Sequence, residues 1–186
     1  MCRDVVWPCC NPGKTGRLVG MDCPEQKNVI RSATLADANG IFELIKAHPE
    51  ALISRPLSDI VESIDRFMVA ERDGELVGCA SWHILPEIGL PERSSVEIRS
   101  VAIQQGLRGS GLGTALVKAI LERVRPLRPV QAIVLTFAPK FFARMGFREV
   151  PKTQIMHKIY MGCVNCTKHA NPFTCPEIAM ALELKP

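Results

Sequence analysis

The stretch SVAIQQGLRGSGLGTALV, residues 100–117, carries the most chemistry in the chain. A β-rich run enters a loop that holds Arg108, Gly109, Gly111 and Gly113, and an amphipathic helix begins at once. A helix start presents unpaired N–H groups and the positive end of the helix dipole. Glycines let that backbone approach an anion without Cβ obstruction. The combination reads as a cradle for a pyrophosphate, to which Arg108 adds charge. A ligand-free turn is the poorer reading, because three glycines at a helix start carry a propensity cost that a turn does not need. A dinucleotide unit would need G-x-G-x-x-G, but the sixth residue is Thr114 counting from Gly109 and Leu116 counting from Gly111.

A second cluster lies near the end of the chain. Cys163, Cys166, His169 and Cys175 are four candidate zinc ligands. Cys163-x2-Cys166 is a strong half-site, whereas H-x5-C has an unusual order for the other half. A thiol-rich tail without metal is the alternative, and Cys9 or Cys23 could complete a site. Zinc stays open and no metal site is assigned. The triplet Gly13–Thr15 reads GKT, but Pro8 stands where a phosphate loop needs Gly and no strand precedes it.

The elements around these residues follow from pattern. The chain has 186 residues, 47% of them hydrophobic, enough for one well-buried core. Charge is +4, from 23 basic and 19 acidic residues without a long like-charged run, so neither nucleic acid nor a membrane surface is implied. No apolar stretch suits a transmembrane helix or a secretory signal, so a cytoplasmic protein is expected, in which eight cysteines stay thiols or ligands. Residues 1–27 are read as an irregular Cys-containing arm. Asn28–Arg31 suggests a strand. Thr34 with Asp37 reads as a helix cap, followed by Leu35, Ile41, Leu44 and Ile45 at helical spacing. Ser58 reads as the cap of a second helix with Ile60, Val61 and Ile64. Asp73-Gly74 between β-rich runs marks a hairpin. SVEIRSVAI is a strand, and Leu112, Leu116, Ala119, Ile120 and Val124 share a helix face ended by Pro126 and Pro129. AIVLT reads as a buried strand, PKFFARM as a short helix stopped at Gly146, and FREV as extended. The expected fold is α/β (α+β): one domain over residues 28–160, a mixed central sheet with helices on both faces, and a Cys-containing tail over 161–186.

Val101–Gly113 resembles, residue for residue, the acetyl-CoA loop of the GNAT acetyltransferases, a V-x-V strand end leading to R-G-x-G-x-G. Gln105 replaces a frequent Pro. FFARMGF at Phe141–Phe147 is similar to that superfamily's second block, GELVGCASW to its central hairpin and SATLADANGIFEL to its first helix. The resemblance implies transfer of acetyl from acetyl-CoA directly to an amine. It implies pantetheine in a gap between the Val101 strand and AIVLT, held by main chain near Val101, Ala102 and Ile103. It also implies that amides of Arg108, Gly109, Ser110, Gly111, Leu112, Gly113 and Thr114 take the pyrophosphate. The attacking amine must lose a proton, and Glu97 is the candidate base. It lies four residues before Val101, so strand alternation puts both on one face. A structural pair with Arg99 or Arg93 is the alternative role. Phe142 occupies the position where many relatives carry a general-acid Tyr. A thiol with pKa about 8.5 leaves without one, so no Tyr acid is assumed.

Finer features narrow the acceptor. ISRPLSDI, EIRSVAI and the run from Leu135 through the Cys-containing tail resemble the short stand-alone bacterial N-acetylglutamate synthases, although Ile155-Met156 replaces Leu-Pro and Cys166 to Cys175 is a long spacing. This resemblance implies L-glutamate as acceptor, in arginine biosynthesis. Two carboxylates then need cations: Arg55 first, Arg99 second, Lys158 third. Acetyl-CoA and L-glutamate are the expected partners, with a homodimer left open. Two alternatives stand: a GNAT enzyme acting on another small amine or a protein N-terminus, and a metal-binding interaction protein on an inactive GNAT scaffold. His83, late in the hairpin, reads as a pocket residue or a buried strand histidine, and Cys79 as core.

Overall fold

The structure, a computed structural model, describes residues 28–87, 89–166 and 168–184. The N-terminal arm with Cys2, Cys9, Cys10 and Cys23, and the GKT triplet, lie outside the described residues. Strands β1 (Asn28–Ser32), β2 (Phe67–Arg72), β3 (Glu75–Leu85), β4 (Ser95–Ile103), β5 (Gln131–Thr136), β6 (Arg148–Glu149) and β7 (Ile178–Glu183) form one seven-stranded sheet in the order β1-β2-β3-β4-β5-β7-β6. β4 and β5 pair in parallel and the other neighbours antiparallel, so the sheet is mixed as expected. Asp73 and Gly74, both with positive φ, make the tight turn that joins β2 to β3.

Helices cover both faces. α3 (Leu112–Val124) buries Leu112, Leu116, Val117, Ile120 and Val124 against Ala70, Val77, Val96 and Ile98. On the other face α1 (Ala38–Lys46) and α2 (Leu57–Glu62) bury Ile41, Ile45 and Ile60 against Phe67, Val69, Cys79 and Ala102. Cys79 is core as read, and Val117 rather than Ala119 completes the α3 stripe. α4 (Pro139–Ala143) is short and Gly146, at φ 93°, ends its turn.

Three local readings change. Leu35 sits in a 3-10 turn ahead of α1 and is exposed, because the Thr34–Asp37 cap opens that turn first. α2 starts one residue before Ser58: Pro56 fixes an extended φ and ψ at the cap position and the helix follows directly. The segment 161–186, expected as a tail, supplies β7, which pairs with β5 from Gln131↔Glu183 to Thr136↔Ile178.

The first cap is well built. Asp37 Oδ2 accepts from the Thr34 N–H at 2.7 Å, and the Arg31 guanidinium grips both Asp37 oxygens at 2.7 and 2.8 Å and Glu71 at 2.6 Å. The hydrogen bond from Arg31 holds the Asp37 carboxyl well below the usual carboxylate range, against the opposing effect of burial. A depressed folded-state value stabilises fully above the unfolded value, about pH 4, and the gain is lost as pH falls below it. Asp37→Asn is therefore expected to cost about 1–2 kcal/mol at neutral pH, measured by urea denaturation, and progressively less in acid.

Candidate active site

β4 and β5 are in register only at Val96↔Ala132 and Glu97↔Ile133. Beyond Glu97 the two strands part, and a cavity of about 320 Å³ lies at the gap, bordered by Ile98, Arg99, Ser100 and Val101 on one side and Val134 and Leu135 on the other. A β-bulge accompanies the parting. Ser81 faces Arg99 and Cys79 faces Ala102, so Ser100 is the extra residue of β4, and it takes the left-handed region at φ 54°. Such a conformation costs a residue with a Cβ about 1–2 kcal/mol. Cross-strand contacts hold it: Ser81 Oγ donates to the Arg99 carbonyl at 3.2 Å and Cys79 Sγ to the Ser100 carbonyl at 3.6 Å.

The bulge corrects one expectation. Strict alternation would put Glu97 and Val101 on one face. With the extra residue, Val96, Ile98, Val101 and Ile103 all face the α3 side, while Ala102 packs with α1 and α2. Glu97 and Arg99, alternating with Ile98, lie on the face opposite Val101. Glu97, Arg99 and Val101 still border one cavity, because it sits where the sheet is split and is open to both faces.

The glycine loop has the geometry of an anion cradle. Gly109 and Gly111 adopt φ 84° and 89°, conformations that side chains resist. Gly111 caps α3, whose first helical hydrogen bond runs from the Ala115 N–H to the Gly111 carbonyl. The N–H groups of Leu112, Gly113 and Thr114 precede it and have no helical acceptor. A Cβ on Gly113 would come within 3.3 Å of the Phe141 ring. Ser110 braces the loop by donating its hydroxyl to the Leu107 carbonyl at 2.7 Å. Arg108 does not lie free over the helix start. Its Nη2 donates to His48 Nδ1 at 2.9 Å and lies 3.6 Å from Glu50 Oε1. Ala102 is buried against α1, and Ile103 sits at the strand exit with its carbonyl bound to His48.

The polar end of the cavity gathers Glu97, Arg99, Arg55 and Lys158. Glu97 is 4% exposed; its Oε1 meets Lys158 Nζ at 2.7 Å and its Oε2 has no partner. Lys158, read as a third carboxylate clamp, thus binds the protein's own carboxylate. Arg99 Nε is also buried without a partner. Burial pushes the Arg99 guanidinium down to about 10, with neighbouring Arg55 adding repulsion and Glu97 opposing. Arg55 is lowered by burial as well, opposed by Glu97 and Asp59. No salt bridge joins Arg55 or Arg99 to a carboxylate among the described residues.

Residues 38–147 match the acetyltransferase (GNAT) family. The chain belongs to that family. It is an acetyl-CoA-dependent N-acetyltransferase, and the split strands and glycine cradle are the parts that suit CoA. Over 163 residues it is 31% identical to an uncharacterized N-acetyltransferase of Chlorobaculum tepidum, covering 87% of this chain and 99% of that one. An amino-acid acetyltransferase of Mycobacterium tuberculosis is 33% identical over 144 residues, covering 75% of this chain and 77% of that enzyme. Among solved structures, Rv2747 of M. tuberculosis in complex with CoA and NLQ superposes with a TM-score of 0.69 at 28% identity, covering 84% of this chain and 99% of that one. The N-acetylglutamate synthase of Neisseria gonorrhoeae has the same fold, with a TM-score of 0.69 at 22% identity; the match covers 87% of this chain and 36% of that one.

The rest of the cavity wall comes from the far end of the chain. Gly162, Cys163, Cys166, His169, Pro172 and Cys175 line the cavity together with the loop Ala51–Arg55. Lys168 Nζ ties the two walls by donating to the carbonyls of Pro49 and Leu52 at 2.6 and 2.7 Å. Lys152 holds the segment from below through the carbonyls of Pro172 and Cys175. Burial pushes the Cys163 and Cys175 thiols up. No three His, Cys, Asp or Glu side chains converge on a metal position among the described residues. The zinc reading therefore has no geometric support there, while Cys9 and Cys23 lie outside them.

Phe142 borders the cavity, buried edge-to-face against Phe141 and Phe147 at 4.8 and 5.4 Å. Tyr160, the chain's single tyrosine, is 70% exposed. His83 faces Glu97 in strand register, and its Nδ1 lies 3.2 Å from Arg66 Nη1; it does not border the cavity. His48 and Lys168 were not singled out from the sequence. Their partners lie far along the chain, at Arg108 and at Pro49, so no spacing marks them.

Proposed function

We propose that this enzyme acetylates the α-amine of a dicarboxylic amino acid, L-glutamate, as an early step of arginine biosynthesis. One observation carries the reading. Two half-buried guanidiniums, Arg55 and Arg99, border the same cavity as Glu97 and form no salt bridge with a carboxylate among the described residues. Buried cations without partners are unfavourable, and an acceptor with two carboxylates supplies what they lack. The likeness to an amino-acid acetyltransferase at 33% identity supports the same class.

In this reading Arg55 and Arg99 hold the acceptor by its carboxylates, and Glu97 Oε2 takes the amine's proton while Lys158 holds the other oxygen in place. In the same reading a backbone N–H of β4 near Val101 and Ile103, beside the Ser100 bulge, polarises the thioester carbonyl. Among the described residues the thiols lining the cavity are free.

The test is CoA release with a panel of amino acids, peptides and simple amines. Glutamate is expected to give the highest kcat/KM. Preference for peptides or for amines without a side-chain carboxylate would remove the proposal. Arg55→Met and Arg99→Met are each expected to raise the KM for glutamate by roughly tenfold or more, with the KM for acetyl-CoA within about twofold.

A further inference from the structure

His48 is buried, at 5% exposure, on the segment that leaves α1. Both of its ring nitrogens are engaged. Nε2 lies 3.0 Å from the Ile103 carbonyl, and Arg108 Nη2 lies 2.9 Å from Nδ1. The partners dictate the tautomer. A carbonyl only accepts and a guanidinium only donates, so Nε2 carries the proton and Nδ1 is bare. Glu50 Oε1 backs the arrangement, 3.6 Å from the same Arg108 nitrogen.

The two partners have a definite place in the chain. Ile103 is the last residue of β4, and Arg108 is the residue before the left-handed Gly109. One imidazole therefore grips both ends of the segment that carries the strand into the cradle. Glycine loops lose more conformational freedom on ordering than other backbone, so a cradle built from them binds well only if something else holds it in shape. Within the loop itself, Ser110 provides only short-range bonds to Leu107.

We propose that His48 is a positioning residue for the acetyl-CoA site: it clasps Ile103 and Arg108 so that the unengaged amides of the cradle, those of Leu112 to Thr114 foremost, are preset for the pyrophosphate. It acts through these two residues and touches no reacting atom. The clasp also explains why Arg108 is turned toward His48 and Glu50: its guanidinium is used to fix the backbone, and the main-chain N–H groups are left to meet the anion. Through Pro49 and Leu52, held by Lys168, the same segment leads to Arg55, so the clasp stands between the cofactor loop and the acceptor wall.

Calorimetric titration of CoA onto the full chain tests this without any acceptor, so the result is independent of whether glutamate is the substrate. His48→Ala is expected to weaken CoA binding roughly tenfold or more. In assays with the best acceptor from the panel, the KM for acetyl-CoA should rise while kcat at saturation stays within about twofold. His48→Gln presents a donor and an acceptor on one amide and should recover most of the affinity. His48→Leu fills the space and should not. Arg108→Met combined with His48→Ala should lose less than the sum of the two single losses, since both break the shared His48–Arg108 bond. Unchanged CoA affinity in His48→Ala would overturn the proposal. So would equal rescue by Leu and Gln, which marks a packing role. If the Ala variant does not fold, the Gln and Leu pair decides alone.

Discussion

Glu97→Gln should lower kcat by about a hundredfold or more while leaving the CoA affinity within about twofold. Glu97 is a buried carboxylate with one oxygen on Lys158 and the other without a partner, at the border of the cavity. Buried polar atoms are nearly always paired, so an orphaned oxygen at a cavity is a group that waits for a partner from outside. Glutamine keeps the shape and can still accept a hydrogen bond, but it cannot take a proton. Residual activity should climb with rising pH, because the amine then loses its proton to solvent without help, whereas the wild type levels off. One complication is built into the pair. Glutamine leaves the Lys158 ammonium buried without its counter-charge, which destabilises the fold. The double variant Glu97→Gln with Lys158→Met removes that charge and serves as the control. Activity within tenfold of wild type in a folded Glu97→Gln protein would assign Glu97 to structure.

The surroundings of Glu97 are legible in the sequence only in part. The strand over SVEIRSVAI, the Asp73-Gly74 hairpin and the helix after the glycine loop are local: alternation, turn chemistry and 3.6-residue periodicity report them within a few residues. The bulge at Ser100 is not. Its left-handed φ is taken by a serine rather than a glycine and is held by β3 from the outside, so nothing in the run of β4 announces it. Alternation counted across it puts Glu97 and Val101 on the wrong relative faces. Glu97, Arg99 and Val101 nevertheless border one gap, whichever way they point.

β7 escaped for a different reason. Its sequence, IAMALE, is rich in good helix formers and carries no β-branched residue after Ile178. It is a strand because β5 and β6 pair with it on both sides, and its Ala179 and Met180 are buried. Tertiary context overrides propensity here, just downstream of Cys163, Cys166 and Cys175. Those cysteines turn out to be part of a cavity wall, tied across to the loop of Arg55 by Lys168. His48 with Arg108, and Lys168 with Pro49, join positions far apart in the chain, and single-sequence periodicity has no access to such pairs.

The second large effect is expected at Gly111, and its size should track backbone strain rather than bulk. Gly111 caps α3 at φ 89°, and a Cβ built there meets nothing within 4 Å. Any loss on substitution therefore comes from the conformation, which a side chain resists by about 1–2 kcal/mol and a β-branched one by more. The chain does place residues with a Cβ in this region at Asp73, Ser100 and Arg128, each held by turn or sheet contacts. At the cradle the easier response is for the helix start to rotate back to negative φ, which turns the N–H groups of Leu112 to Thr114 away from the anion. Asparagine tolerates the left-handed region better than alanine, although it is larger. CoA dissociation constants should then rise in the order Gly, Asn, Ala, Val, by a few-fold for Asn, about tenfold for Ala and about a hundredfold for Val. Gly113→Ala makes the contrast: its φ is not left-handed, and its loss should come from the Phe141 ring at 3.3 Å and be relieved by Phe141→Leu. Asn weaker than Ala at position 111 would mean that space, not backbone conformation, sets the cradle.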